Sequence, residues 1–168
     1  RVLRDTTWYK LVPGARFREG DIVAAWSGQI QVELVAGGIF NVSAPVTLFA
    51  AAIPVTADKL TGPVEMALPE GWLKLAASAP ATGFRVLLDG SFVTAAEAVV
   101  VMHAKPDAME LFVESGTARL TDAGTSKTKP AAATDMKAGD YVAQSSDRPL
   151  RYEPRPPAAF VTSVPRYM

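Results

Sequence analysis

One histidine, His103, and a scatter of carboxylates are the residues here that could move protons, and the 168-residue chain has no cysteine. The missing cysteine removes thiol nucleophiles, disulfides and Cys-based zinc sites together. A Ser-His-Asp hydrolase would have to use His103, yet no Gly-x-Ser-x-Gly nucleophile turn occurs. His103 closes the apolar run Val99 to Met102 ahead of Lys105 and Pro106, which predicts a strand-end or loop position. Asp107 and Glu110 lie nearby, but not at a metal-ligand spacing. Glycoside hydrolysis needs two opposed carboxylates. Glu33, Glu65, Glu97, Glu110, Glu114, Asp89 and Asp140 are available, and nothing singles out two of them. Glu33 and Glu110 alternate with apolar neighbours, as on the solvent face of a strand. Asp21, Asp89 and Asp140 sit beside glycine, where aspartate makes turn bonds to the backbone. The expectation is a protein without catalytic residues, cofactor or metal.

Binding chemistry is more open. Trp8, Trp26, Trp72, Tyr9 and Tyr141 could form a sugar-stacking platform, although so few large aromatics are expected first as core or strand-pair anchors. Asn41-Val-Ser43 matches a glycosylation sequon inside an expected strand pair, where a chance match is the simpler reading. Lys plus Arg and Asp plus Glu both total 17, so the basic excess that nucleic-acid binding demands is missing. The C-terminal stretch is locally basic through Arg148, Arg151, Arg155 and Arg166, offset by Asp147 and Glu153.

The elements that must position these groups are strands. Ile30, Val32 and Leu34 alternate with Gln31 and Glu33, the period of a half-buried strand. Pro13-Gly14, Gly20-Asp21 and Ser27-Gly28 punctuate the chain as turns. Strands are expected at 22–26, 30–35, 39–43 and 46–51. A linker spans 56–68, and a hairpin folds around Ser115-Gly116. Helical signals are scarce, with weak Ala-rich exceptions at 50–52 and 131–133. The polar stretch from Asp122 to Ala133 reads as a mobile loop. Phe84 to Ala95 mirrors Val32 to Ser43, each a strand, a glycine-containing reversal and a strand. Lys137-Ala-Gly-Asp-Tyr-Val repeats the Glu19-Gly-Asp-Ile-Val device. No uninterrupted apolar run reaches the roughly 18 residues of a membrane helix.

Pro13-Gly14, Gly20-Asp21-Ile-Val and Gly37-Gly-Ile-Phe resemble the start of the FecR-type extracytoplasmic domain. Glu70-Gly-Trp-Leu-Lys, the Val99 and Leu111 strands, Ala138-Gly-Asp-Tyr-Val and Phe160-Val resemble its second half. The resemblance implies an all-β fold, two related halves of short strands in a β-sandwich or short solenoid-like stack with little helix. It also implies export to the periplasm or cell surface, with a leader removed before Arg1 as the matching expectation. The domain is expected over 1–153, with halves at about 1–55 and 69–145. Val32, Leu34, Val46, Leu48, Leu73, Leu87, Val100, Leu111 and Val113 are its expected core.

Residues 154–168 form an expected Pro-rich tail, extended as polyproline II because its prolines cannot join a ladder. Its apolar and basic residues Arg155, Phe160, Val161, Val164, Arg166 and Tyr167 are the candidate partner-binding set. The function expected is a non-catalytic interaction or structural module that binds other envelope proteins or copies of itself, in a filament or surface assembly among other forms. The alternative is a module sensing a cell-envelope glycan or small ligand.

Overall fold

Alternating apolar residues across nearly the whole chain yield fourteen strands and one short helix in the computed structural model, which describes all residues except 35–37, 58, 79–82, 124–132, 146–147, 154 and 165–168. In chain order the strands are β1 (Val2–Arg4), β2 (Thr7–Tyr9), β3 (Ile22–Ala25), β4 (Gln29–Glu33), β5 (Gly38–Ala52), β6 (Val55–Thr56) and β7 (Lys59–Leu60). They continue as β8 (Val64–Ala77), β9 (Phe84–Leu88), β10 (Ser91–Lys105), β11 (Ala108–Asp122), β12 (Ala133–Lys137), β13 (Tyr141–Ser145) and β14 (Arg148–Glu153), followed by α1 (Ala158–Ser163).

Four long strands organise the molecule, because each changes neighbours midway. β5 takes β4 along Ile39–Ser43 and β3 along Val46–Phe49. β8 runs parallel to β9 over Val64–Ala67, then antiparallel to β10 over Gly71–Ala77. β10 pairs β9 with its first residues and β8 with its last. β11 pairs β13 first and β12 afterwards. One twelve-stranded mixed sheet therefore folds over into two layers. The first layer runs β4-β5-β8-β10-β11-β13-β14 and the second β2-β1-β3-β5-β8-β9-β10-β11-β12. Between them lies a single hydrophobic core. Phe40 of the first layer meets Phe84 of the second edge-on, ring centroids 6.3 Å apart.

The folds in the long strands sit at two glycines. Gly71 (φ +102°) lies where the β5–β8 register shifts, and a Cβ there would overlap Pro45 O and approach Val46 Cα to 2.7 Å. Gly116 (φ +75°) does the same against β10, where a Cβ would overlap Glu97 O and come within 2.8 Å of Ala98 Cα. Only a residue without Cβ allows that approach and that φ together.

The two stretches expected to repeat form the antiparallel pairs β4–β5 and β9–β10, which lie in opposite layers, and the two Gly-Asp turns share one bonding pattern. Arg18 N–H donates to Asp21 Oδ2 at 2.9 Å, and Lys137 N–H to Asp140 Oδ2 at 2.8 Å.

Several expectations change. Ser115-Gly116 is the bend of one continuous strand, not a hairpin. Residues 39–52 form one strand, so Ala50–Ala52 is not helical. The expected linker 56–68 contains the small β6–β7 ribbon and the start of β8. Val46, Leu48, Leu73, Val100, Leu111 and Val113 are buried, whereas Val32, Leu34 and Leu87 are half-buried. Val32 and Leu34 lie at or beside an edge strand. Leu87 stands on the outer face because Phe84, Val86 and Leu88 take the inner one. Of the polar loop expected over 122–133, Asp122 and Ala133 end and begin strands, and residues 124–132 lie outside the described residues. After the prolines the tail is helical rather than extended. Pro157 is still in polyproline geometry (φ −58°, ψ 149°), and α1 begins at the next residue. No helix among the described residues is long and apolar enough to cross a membrane.

Candidate functional site

Two places concentrate side chains that could act. The first lies on the outer face of the first layer, where register alone assembles it. Trp72, His103, Glu110 and Ala143 are direct cross-strand partners, and so are Lys74, Val101, Phe112 and Tyr141 one row along. The Trp72 and His103 rings stack at 4.0 Å with an 8° interplanar angle. Glu110 faces the His103 Nδ1 at 2.8 Å and accepts hydrogen bonds from Lys105 Nζ at 3.0 Å and Tyr141 OH at 2.7 Å. The His103 contact is the largest influence on Glu110; with Tyr141 and Lys105 it outweighs burial and lowers the carboxyl from 4.5 to about 2. Burial, then the bond to Glu110, pushes the Tyr141 phenol up.

Over this array α1 lays Phe160, 3% exposed, with its ring centroid 5.1 Å from Trp72, 5.1 Å from Tyr141 and 6.2 Å from Phe112. Val164 packs against the same cluster. The array is thus a socket occupied by the chain's own C-terminal helix, and its carboxylate is fully engaged. His103 lies within a strand rather than at a strand end or in a loop. Glu110 is half-buried, not on an open solvent face. The sequence cannot show this, since it depends on registers among β8, β10, β11 and β13.

Of the tail's candidate partner-binding residues, Phe160 is buried inward, Val164 is half-buried, and Arg155 and Val161 are exposed. Arg166 and Tyr167 lie outside the described residues. The aromatic set divides. Trp72 and Tyr141 pack beneath α1, while Trp8, Tyr9 and Trp26 are exposed at 47%, 50% and 71% and so do not serve as core; Trp8 and Tyr9 stand on β2 in its pairing with β1. Trp26 carries the Arg1 guanidinium 5.7 Å above its ring, and none of these three lines the β4 cleft.

The second place is a cleft of about 980 Å³ at the edge of the sandwich, between β4 and residues 11–18. Leu11, Phe17, Ile30, Val32, Ile53 and Leu60 give it an apolar floor, and Arg16, Arg18 and Glu33 stand along it. Residues 11–18 are held by Asp21, which is fully buried. Arg4 grips its carboxylate twice, Nε to Oδ1 at 2.8 Å and Nη2 to Oδ2 at 2.7 Å, and also reaches Arg16 O at 2.8 Å. Burial pushes Asp21 up, but the Arg4 guanidinium and the Arg18 N–H outweigh it and hold the carboxyl below its ordinary value. The wall of the cleft is an open strand edge. Leu34 N–H donates to Gly38 O and Ala44 N–H to Gly28 O. The antiparallel alternation then turns the backbone groups of Gln29, Gln31 and Glu33 away from β5. Among the described residues no group of three or more His, Asp or Glu is placed to hold a metal ion.

No protein-family model and no curated protein matches the chain. Solved structures do. A crystal structure of a candidate anti-sigma factor from Parabacteroides distasonis superposes with a TM-score of 0.61 at 13% identity, over 80% of this chain and 59% of that one. A second crystal structure under the same description, from the same organism, gives 0.62 at 12% identity with the same coverage. At this identity the likeness is one of fold. The chain spans less than two thirds of the length of these neighbours.

Proposed function

We propose that this chain is a non-catalytic, FecR-like interaction module of a regulatory protein, acting outside the cytoplasm by binding another protein. The observation that carries the reading is the open β4 edge running along a large apolar cleft. An unpaired edge beside apolar surface is a place where soluble proteins recruit a partner, and otherwise one they protect. The fold shared with candidate anti-sigma factors supports a regulatory role. The engaged state of Glu110 and His103 supports the non-catalytic reading. The resemblance of the Gly-Asp turns and their strands to the FecR domain supports a place in the periplasm or at the cell surface.

The test is photo-crosslinking in native cells, with a photoreactive residue at Trp8, Gln31, Asp135 or Arg151, one on each outer strand of the two layers. One defined protein adduct, formed reproducibly from one edge, is the expected result. Adducts that are absent or scattered over all four positions would overturn the interaction reading. Recovery of the protein only with cytosolic markers would overturn its placement.

A further inference from the structure

We infer that the β4 edge and its cleft bind an extended peptide strand whose alternate residues are apolar and which carries acidic residues at its ends. The inference rests on the protein-interaction reading and adds which edge is used and what the partner looks like. Gln29, Gln31 and Glu33 each direct one N–H and one C=O away from β5. On the same strand Ile30 and Val32 turn toward the cleft, which Phe17 and Leu11 continue. An added strand would pair its main chain with the three outward residues. Every second side chain would then fall onto the apolar floor. A lipid chain or a compact apolar ligand could fill the cleft, but it would leave those backbone donors and acceptors unmatched. The ladder selects a peptide.

Charge supports the same partner. Arg16 and Arg18 line the cleft, and neither guanidinium makes a hydrogen bond with a described residue. Carboxylates at the ends of the incoming strand would meet them. The other outer strands are less suited. β14 contains Pro149 between Arg148 and Arg151, β12 carries Asp135 and Lys137, and β2 is three residues long. Proline, charge and shortness are how natural edges are kept from pairing. β4 has no proline, and its one charge is Glu33 at its end.

The probe is the fluorescein-labelled peptide Glu-Thr-Val-Thr-Val-Thr-Glu, followed by anisotropy with the intact domain. Saturable binding is expected, at least tenfold weaker in Gln31→Pro. That substitution removes an outward N–H which makes no bond to β5, so the melting temperature should hold. N-methylation of the peptide gives a readout independent of the domain's folding. In an antiparallel addition the threonines face Gln29, Gln31 and Glu33, so methylating their amides should abolish binding; in a parallel one the valine amides fill that role. Binding that survives both methylations, or is unchanged in Gln31→Pro, would overturn the inference, as would no binding at all. If crosslinks in cells form from Trp8, Asp135 or Arg151 but not from Gln31, this assignment fails while the interaction reading stands.

Discussion

Replacing Phe160 by alanine should detach α1 from the sandwich, because that ring is the helix's one buried residue. The helix has six residues and no side-chain cap, too short to persist without its contact. Burying a phenylalanine is worth roughly 1.5–3 kcal/mol, and each well-placed ring contact adds about 0.5–1.5 kcal/mol. Against this stands the gain in freedom of the released segment, so the net loss should be about 3 kcal/mol, at the low end of Phe→Ala costs in cores. For a domain of this size that corresponds to a melting point lower by roughly 6–12 °C. Intrinsic fluorescence separates undocking from a general loosening. Trp8 and Trp26 are already exposed, so a red shift in Phe160→Ala below its melting point reports Trp72 entering water. Val161→Ala is the control on the exposed face of the same helix, expected within about 0.5 kcal/mol of the parent. If Phe160→Ala melts within a degree of the parent with unchanged emission, the helix does not contribute to the fold in the way described.

Arg4→Met should move the chemical-denaturation midpoint to lower denaturant, because it leaves the Asp21 carboxylate without its cation; an unchanged midpoint would show that Asp21 is otherwise satisfied. Glu110 has its folded pKa lowered to about 2, so its contribution is present above the ordinary value of 4.5 and is lost as pH falls from there toward 2. Melting temperatures across that window should fall more steeply in the parent than in Glu110→Gln, and parallel curves would refute the linkage. Gly71→Ala and Gly116→Ala should each prevent accumulation of soluble, folded protein, since a Cβ would overlap backbone at both bends; expression and circular dichroism decide it. Trp26→Ala, at an exposed ring, should leave the melting temperature within about 2 °C.

The sheet character and most of the core are legible in the sequence because alternation reports which face a residue takes, and glycine and aspartate report where the chain turns. Both Gly-Asp turns are marked by residue type alone. Alternation does not say how far a strand continues through a bend. Ser115-Gly116 carries the composition of a hairpin turn, yet its glycine lets β11 fold over β10 without stopping. Phe160 stands out in the sequence as an apolar residue in need of cover, but its partners come from four strands distant along the chain. Those pairings depend on register, which single-sequence periodicity leaves open. Leu87 shows the same limit on one strand, where Val86, Leu87 and Leu88 are consecutive apolar residues and composition alone does not mark the inner face. The cleft has no local signature at all, being formed by β4 and a segment that Asp21 and Arg4 hold in place.

Because β5, β8, β10 and β11 each serve both layers, neither layer can come apart while the other stays intact. Opening the first layer would strip β5 and β10 from the second at the same moment. Heat and denaturant should therefore see one cooperative unit, in which amides at the centre of these strands exchange with solvent only when the whole domain opens. The arrangement also makes the domain a stiff lever. A load applied at β4 enters β5 directly and runs along that strand, past Pro45 opposite the Gly71 bend of β8, into the far layer.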